Sequence, residues 1–144
     1  MGDFILREDD RAEFNPTFGA ASVGVRPGYM KASGPGTLEG KKLCVAGDEA
    51  RLSVPGCTYT TATHSIPGQG TLKILALGGD QTAKKTRSGG KHVLLKGGTF
   101  KAKFEVNISA QQPDPSGGPP KYDTAGTYVG TGEFFTTNTL FQGS

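Results

Sequence analysis

Phe100-Lys101-Ala102-Lys103-Phe104-Glu105-Val106-Asn107-Ile108 sets Phe, Ala, Phe, Val and Ile on one side of an extended chain and Lys, Lys, Glu and Asn on the other. Successive side chains of a strand point to opposite faces, so one side of this segment faces a core and the other faces water. It predicts a half-buried strand from Thr99 to Ile108. Shorter strand-like runs surround it: Ala20 to Val25, Lys42 to Val45, Arg51 to Val54, Thr58 to Thr63, Thr71 to Leu77, His92 to Lys96 and Thr127 to Phe135. Val54-Pro55-Gly56, Ile66-Pro67-Gly68, Gly78-Gly79-Asp80, Ser88-Gly89-Gly90 and Lys96-Gly97-Gly98 separate these runs with turn chemistry, which predicts hairpins. Asp80 to Thr86 is the helical candidate, with an Asp to cap it, but it is under two useful turns long. The expected fold is all-β: a compact single domain of short antiparallel strands and Gly/Pro-rich turns over residues 1–144.

Composition agrees with a turn-rich domain of this size. The chain has 144 residues, of which 34% are hydrophobic, enough for one modest core. Its Gly 23 and Pro 9 exceed ordinary usage without the three-residue period of collagen. Two segments read as connections: Arg26 to Gly40, and the Pro/Gly-rich surface loop 111–121, Gln-Gln-Pro-Asp-Pro-Ser-Gly-Gly-Pro-Pro-Lys. Gly36-Thr37-Leu38 and Gly70-Thr71-Leu72 form a weak internal echo that chance in a Gly-rich chain explains. The C-terminal Thr139 to Ser144 carries no functional weight.

Charge and targeting signals narrow the partners. Lys+Arg 16 against Asp+Glu 13 leaves +3, with both signs mixed along the chain, so nucleic acid is not an expected partner. Residues 1–10 lack a basic region followed by an apolar one, which predicts synthesis and folding in the cytoplasm without a signal peptide. No apolar run approaches a membrane span, so no stable membrane insertion is expected.

Reactive side chains are scarce: two His, two Cys and no Trp. Ser22, Ser53 and Ser65 lack the Gly-x-Ser-x-Gly context, and no phosphate-cradling Gly-rich loop with Lys-Ser/Thr occurs, so the chain is not expected to be an enzyme. Asp48-Glu49 beside Gly47 reads as a turn, and Lys84-Lys85-Thr86-Arg87 with Lys91 as a solvated turn. Phe14, Phe18, Tyr59, Phe100, Phe104, Phe134 and Phe135 read as core. Thr58 to Thr63 and Thr136 to Thr139 suit strands with a hydroxylated face. Cys44, Cys57, His64 and His92 can supply the four ligands of a tetrahedral Zn²⁺, although their Cys-x12-Cys-x6-His-x27-His spacing matches no zinc-finger pattern. Cys44 within Leu43-Cys44-Val45 also reads as a buried thiol, Cys57 and His64 as surface residues, and a Cys44 to Cys57 disulfide as a further alternative.

The runs Lys42-Leu43-Cys44-Val45-Ala46-Gly47-Asp48-Glu49, Val54-Pro55-Gly56-Cys57-Thr58-Tyr59, Ile66-Pro67-Gly68-Gln69-Gly70-Thr71-Leu72 and Gly90-Lys91-His92-Val93-Leu94-Leu95-Lys96-Gly97 carry a resemblance. They resemble PAAR-like tip proteins, which sit on the trimeric spike of type VI secretion systems, extracellular injection particles and phage-like tails. The resemblance implies a non-catalytic, conical β-rich tip that helps pierce an envelope and offers effector proteins an attachment point. It also implies a trimeric β-helical spike protein as partner, met through contacts with pseudo-threefold character. A metal, zinc or iron, is implied near the point, for which Cys44, Cys57, His64 and His92 are the available ligands. The Pro-Ala-Ala-Arg tetrapeptide is absent, and the ligand set is poorer in His than is usual in that family. A particle-decorating or glycan-binding β module is the alternative, and it requires exposed aromatics and paired amides in one groove. A small hydrolase ranks third; it requires turnover that is lost on substituting His64 or His92.

Overall fold

The computed structural model describes residues 3–38, 40–136, 138 and 142–143. In chain order its strands are β1 (Asp3–Phe4), β2 (Arg11–Phe14), β3 (Thr17–Phe18), β4 (Ala21–Val23), β5 (Gly28–Tyr29), β6 (Thr37–Leu38), β7 (Lys41–Lys42) and β8 (Ser53–Thr61). There follow β9 (Gly68–Ala76), β10 (Thr82–Ser88), β11 (Lys91–Leu94), β12 (Thr99–Ile108), β13 (Gln111–Gln112), β14 (Lys121–Tyr122), β15 (Thr127–Phe135) and β16 (Gln142–Gly143). The fold is all-β. Eight strands form one antiparallel sheet in the order β3-β4-β8-β9-β12-β15-β2-β5, and the other described strands form two-stranded ladders.

The alternating segment lies at the middle of the sheet as β12, between β9 and β15. Phe100, Ala102 and Phe104 are each 0% exposed and Lys101 faces solvent, as the pattern requires. The pattern fails at its last residue. Pairing with β9 shifts between Val106 and Ile108, and Ile108 ends 57% exposed. The sheet curls because β2 and β3, joined only by Asn15-Pro16, lie near opposite ends of the strand order. The Asn15 N–H donates to Thr131 O at 2.9 Å, which brings β3 against β15. Phe18 then fills the space over Gly130, where any Cβ would lie 2.7 Å from the ring. At the other edge, Gly28 of β5 abuts Leu52 and Val54. The curled sheet encloses an aromatic core in which Phe14 meets Phe100 at 5.6 Å, Tyr59 meets Phe104 at 5.2 Å and Phe100 meets Phe134 at 4.9 Å between ring centroids. Phe135 departs from the core reading: it is 41% exposed beneath the Arg11 guanidinium.

Several local expectations are corrected. Arg51 to Val54 and Thr58 to Thr63 become one strand, β8, and Val54-Pro55-Gly56 is a bulge in it rather than a hairpin turn. Proline has no N–H to give a ladder, and a bulge tolerates that loss. Asp80 to Thr86 falls mostly in strand β10, while the described helical turn is a 3-10 turn at Asp48–Arg51. Arg26 to Gly40 does more than connect, since it carries β5 and β6 and buries Met30, Ala32 and Gly34. The 111–121 loop is tied at its base by β13 and β14, pairing Gln111 with Tyr122 and Gln112 with Lys121. The Gly-Thr-Leu echo has no structural counterpart: Thr37–Leu38 form a two-residue ladder strand, whereas Thr71 and Leu72 lie within β9. Thr136 and Asn138 lie outside any strand. Gln142–Gly143 pair with β1, while Thr137, Thr139, Leu140, Phe141 and Ser144 lie outside the described residues.

Candidate functional site

Below the curled sheet, three short segments close into a triangle. They are Phe4-Ile5-Leu6-Arg7-Glu8, Lys42-Leu43-Cys44-Val45-Ala46 and His92-Val93-Leu94-Leu95-Lys96. Antiparallel bridges join Ile5 to Leu95, Val93 to Val45 and Leu43 to Arg7, so the second residue of each segment meets the fourth of the next. At the centre, Leu6 N donates to Leu94 O at 2.9 Å, Leu94 N to Cys44 O at 2.9 Å and Cys44 N to Leu6 O at 3.0 Å. A second ring runs from Glu8 N to Lys42 O at 2.8 Å, Ala46 N to His92 O at 2.8 Å and Lys96 N to Phe4 O at 2.9 Å. Within each ring every segment donates to one neighbour and accepts from the other at equivalent positions, and the two rings run in opposite senses. A single chain has built a pseudo-threefold axis.

The same equivalence continues on both sides of the triangle. The next residues, Asp9, Gly47 and Gly97, share left-handed backbone at φ 69, 101 and 54. Glycine takes that conformation without a Cβ penalty, and Asp tolerates it. Asp10 and Asp48 follow and hold the turn in the same way: Asp10 Oδ2 accepts from Arg7 N at 2.7 Å and Asp48 Oδ2 from Val45 N at 2.8 Å. The third copy has Gly98 there, and Leu95 N donates instead to Gln81 O at 2.9 Å. On the other side, each segment leaves a two-stranded ladder: Phe4 pairs with Gln142, Lys42 with Thr37 and His92 with Arg87. The first ladder joins the two ends of the chain, and the other two are hairpins. In the third, Ala83 to Thr86 form an irregularity opposite Val93, which breaks the equivalence.

Burial explains why the triangle holds. Leu6, Cys44 and Leu94, each 0% exposed, point into the main core, while Ile5, Val45, Val93 and Leu95 pack with Ala83 in a second cluster. Burying a leucine contributes about 1.5–3 kcal/mol, so the first layer fastens the triangle to the sheet, while the second ties its three segments to one another and to β10. Arg7, also buried, stands where Val45 and Leu95 stand in the other two segments.

The four expected metal ligands occupy separate settings. Cys44 sits beside the pseudo-threefold axis with Leu6 and Leu94 as its counterparts. Burial pushes its thiol well above the usual range, and the Asp48, Asp10 and Glu8 charges push it further, which disfavours the thiolate a metal needs. Cys57 is buried in the β8 bulge with Sγ 3.7 Å from Val54 O, a correction to its surface reading. His64 lies in the β8–β9 connection, its Nδ1 3.1 Å and 3.0 Å from the Thr61 and Thr63 hydroxyls. His92 lies half-buried on β11, with no hydrogen-bond partner at its Nδ1. Both cysteines are free. Among the described residues, no three His, Cys, Asp or Glu side chains gather as a metal ion requires, and Cys44, Cys57, His64 and His92 are not brought together.

Two further roles fall to the buried carboxylates Asp48 and Asp123. Asp48 accepts from Ser33 Oγ at 2.6 Å, Ser33 N at 3.1 Å and Arg51 Nη2 at 2.8 Å in addition to Val45 N. Burial raises its affinity for a proton, but these hydrogen bonds outweigh burial and hold the carboxyl below its ordinary value. Asp123 Oδ2 accepts from Tyr59 OH at 2.8 Å and Tyr128 OH at 2.7 Å, and Tyr59 OH in turn accepts from Ala110 N at 2.9 Å. Burial opposes the Asp123 charge, yet the hydroxyl and amide donors keep its carboxyl below the usual range. This second network pins both stems of the 111–121 loop. The signal available in the sequence was a recurring pattern of two apolar residues, two variable ones and two of Asp or Gly: Ile5 to Asp10, Leu43 to Asp48 and Val93 to Gly98.

No described helix is long and apolar enough to cross a membrane. Compared with known families, residues 1–144 match the sequence model described as "Contractile injection system spike tip protein". No curated protein matches the chain.

Proposed function

The chain belongs to the contractile injection system spike tip family, and from that premise we propose that it caps the end of a trimeric β-helical spike through its triangular end. Membership assigns it to an injection particle in a structural capacity. The observation that carries the finer reading is the cyclic set of bridges and hydrogen bonds joining residues 4–8, 42–46 and 92–96. A spike of three identical chains ends in a threefold surface. One asymmetric chain matches such a surface only by presenting three equivalent edges. Few long loops and two buried apolar layers suit a body that takes the leading position when an envelope is pierced. The 111–121 hairpin, at the far end of the sheet from the triangle, is the place we assign to effector attachment, because it projects from a base fixed by Asp123.

The test is stoichiometry. Native mass spectrometry of the chain mixed with the trimeric spike of its own particle is expected to give one tip per three spike chains. Three tips per trimer, or no complex, contradicts capping.

A further inference from the structure

The triangular end carries a charge pattern that neither the fold nor family membership requires. Lys41 and Lys42 lie on β7, Lys84, Lys85 and Arg87 on β10, and Lys91 on β11, all of them exposed. The chain has 16 Lys and Arg in all, so more than a third stand on two of the three ladders. Ion pairs elsewhere join Lys73 to Glu105 at 2.6 Å and Arg51 to Asp48 at 2.8 Å, but among the described residues none of these six cations has an acidic partner. The irregularity at Ala83 to Thr86 falls where Lys84 and Lys85 lie, so two of the four residues that break the threefold pattern are themselves charged. On the third ladder, Asp3 is occupied within the chain: its Oδ1 accepts from Phe4 N at 2.7 Å and its Oδ2 from Gly97 N at 2.8 Å. Glu39 lies outside the described residues.

We infer that this end docks onto an acidic surface, and that the surface is the carboxylate-bearing end of a threefold spike. The inference rests on the capping reading and adds the chemistry of the partner. An anionic membrane would also attract these lysines, but a membrane has no threefold order, and the cations stand on the ladders that frame the pseudo-threefold axis. A threefold spike repeats its carboxylates at three corners. Two corners then meet the β6–β7 and β10–β11 hairpins, and the third meets the ladder of β1 and β16, which carries no cation and whose Asp3 is engaged by backbone N–H groups. Such contacts accelerate encounter and weaken with salt.

Binding of the full chain to the purified spike trimer is measured at about 50 mM and about 500 mM NaCl, beside a Lys84→Glu/Lys85→Glu/Lys91→Glu variant and a control, Lys101→Glu/Lys103→Glu, altered on lysines of β12 away from the triangle. Affinity of the parent is expected to fall at least about tenfold with salt, and the triple variant to bind about a hundredfold more weakly at low salt, with the control within about twofold of the parent. Binding at one tip per trimer that ignores both salt and charge reversal overturns the acidic partner and leaves capping intact. Absence of binding by the parent at either salt overturns capping itself. Parent binding to phosphatidylglycerol vesicles, lost in the triple variant while spike affinity is unmoved, overturns the proposal in favour of a membrane-facing end.

Discussion

The curled sheet and the triangular end solve the same problem in different ways. In the sheet, long strands pair over many residues, as β12 does without interruption with β15, and large aromatic side chains fill the interior. In the triangle, the segments meet through single bridges, and small and aliphatic side chains fill two thin layers. The sheet gains stability from area. The triangle gains shape from repetition, with one hydrogen-bonding pattern used three times around an axis. Leu6, Cys44 and Leu94 belong to the main core cluster, so the two regions share one interior despite this difference.

That shared interior gives the largest expected effects. Phe104→Ala in the sheet is expected to cost about 3–5 kcal/mol and Leu6→Ala in the triangle about 2–5 kcal/mol, with both variants unfolding in one urea transition. Two separate transitions would divide the regions into independent units. Asp48→Asn comes next, with an expected loss of about 2 kcal/mol in the same melt, because Ser33, Val45 and Arg51 lose a charged acceptor. Asp48 and Asp123 are both held below their ordinary values in the folded chain. The unfolded chain therefore binds protons first as pH falls. Stability is predicted to be level between about pH 5 and about pH 8 and to decline as pH drops through about 4 towards the lowered folded values, with a shallower decline in Asp48→Asn. A thermal-melt series across pH reads both slopes.

Smaller effects sharpen the threefold equivalence. Cys44→Ser is expected to cost about 1–3 kcal/mol, since it buries a hydroxyl where the counterparts are leucines. Asp9→Gly is expected to stabilise by about 1 kcal/mol, because the equivalent Gly47 and Gly97 hold the same left-handed backbone without strain. A loss of stability in Asp9→Gly would show that the Asp side chain serves its corner in a way the glycines do not.

The fold was legible where one strand carried its own pattern. Thr99 to Ile108 and Thr127 to Phe135 read as strands because alternation over nine or ten residues is a local signal. Local signals misled where tertiary pairing decided the outcome. Pro55-Gly56 has turn chemistry, yet pairing with β9 on both sides draws it into a bulge. Asp80 to Thr86 holds helix formers, yet a ladder with β11 extends it. The triangle was the least legible. Its segments begin at Phe4, Lys42 and His92, spaced unevenly along the chain, and they share only an apolar pair and a later Asp or Gly. Their equivalence lies in backbone hydrogen bonds, which any side chain permits. Cys44, Cys57, His64 and His92 are residue types suited to zinc, but nothing in their spacing draws them to one point, and among the described residues no three such side chains gather.

Cryo-electron microscopy of the chain bound to its trimeric spike tests the central claim most directly. The account predicts that residues 4–8, 42–46 and 92–96 lie nearest the spike with their pseudo-threefold axis along the spike axis, and that the 111–121 hairpin lies at the far end. Seating through the curled sheet, or a tip displaced from the spike axis, would contradict it.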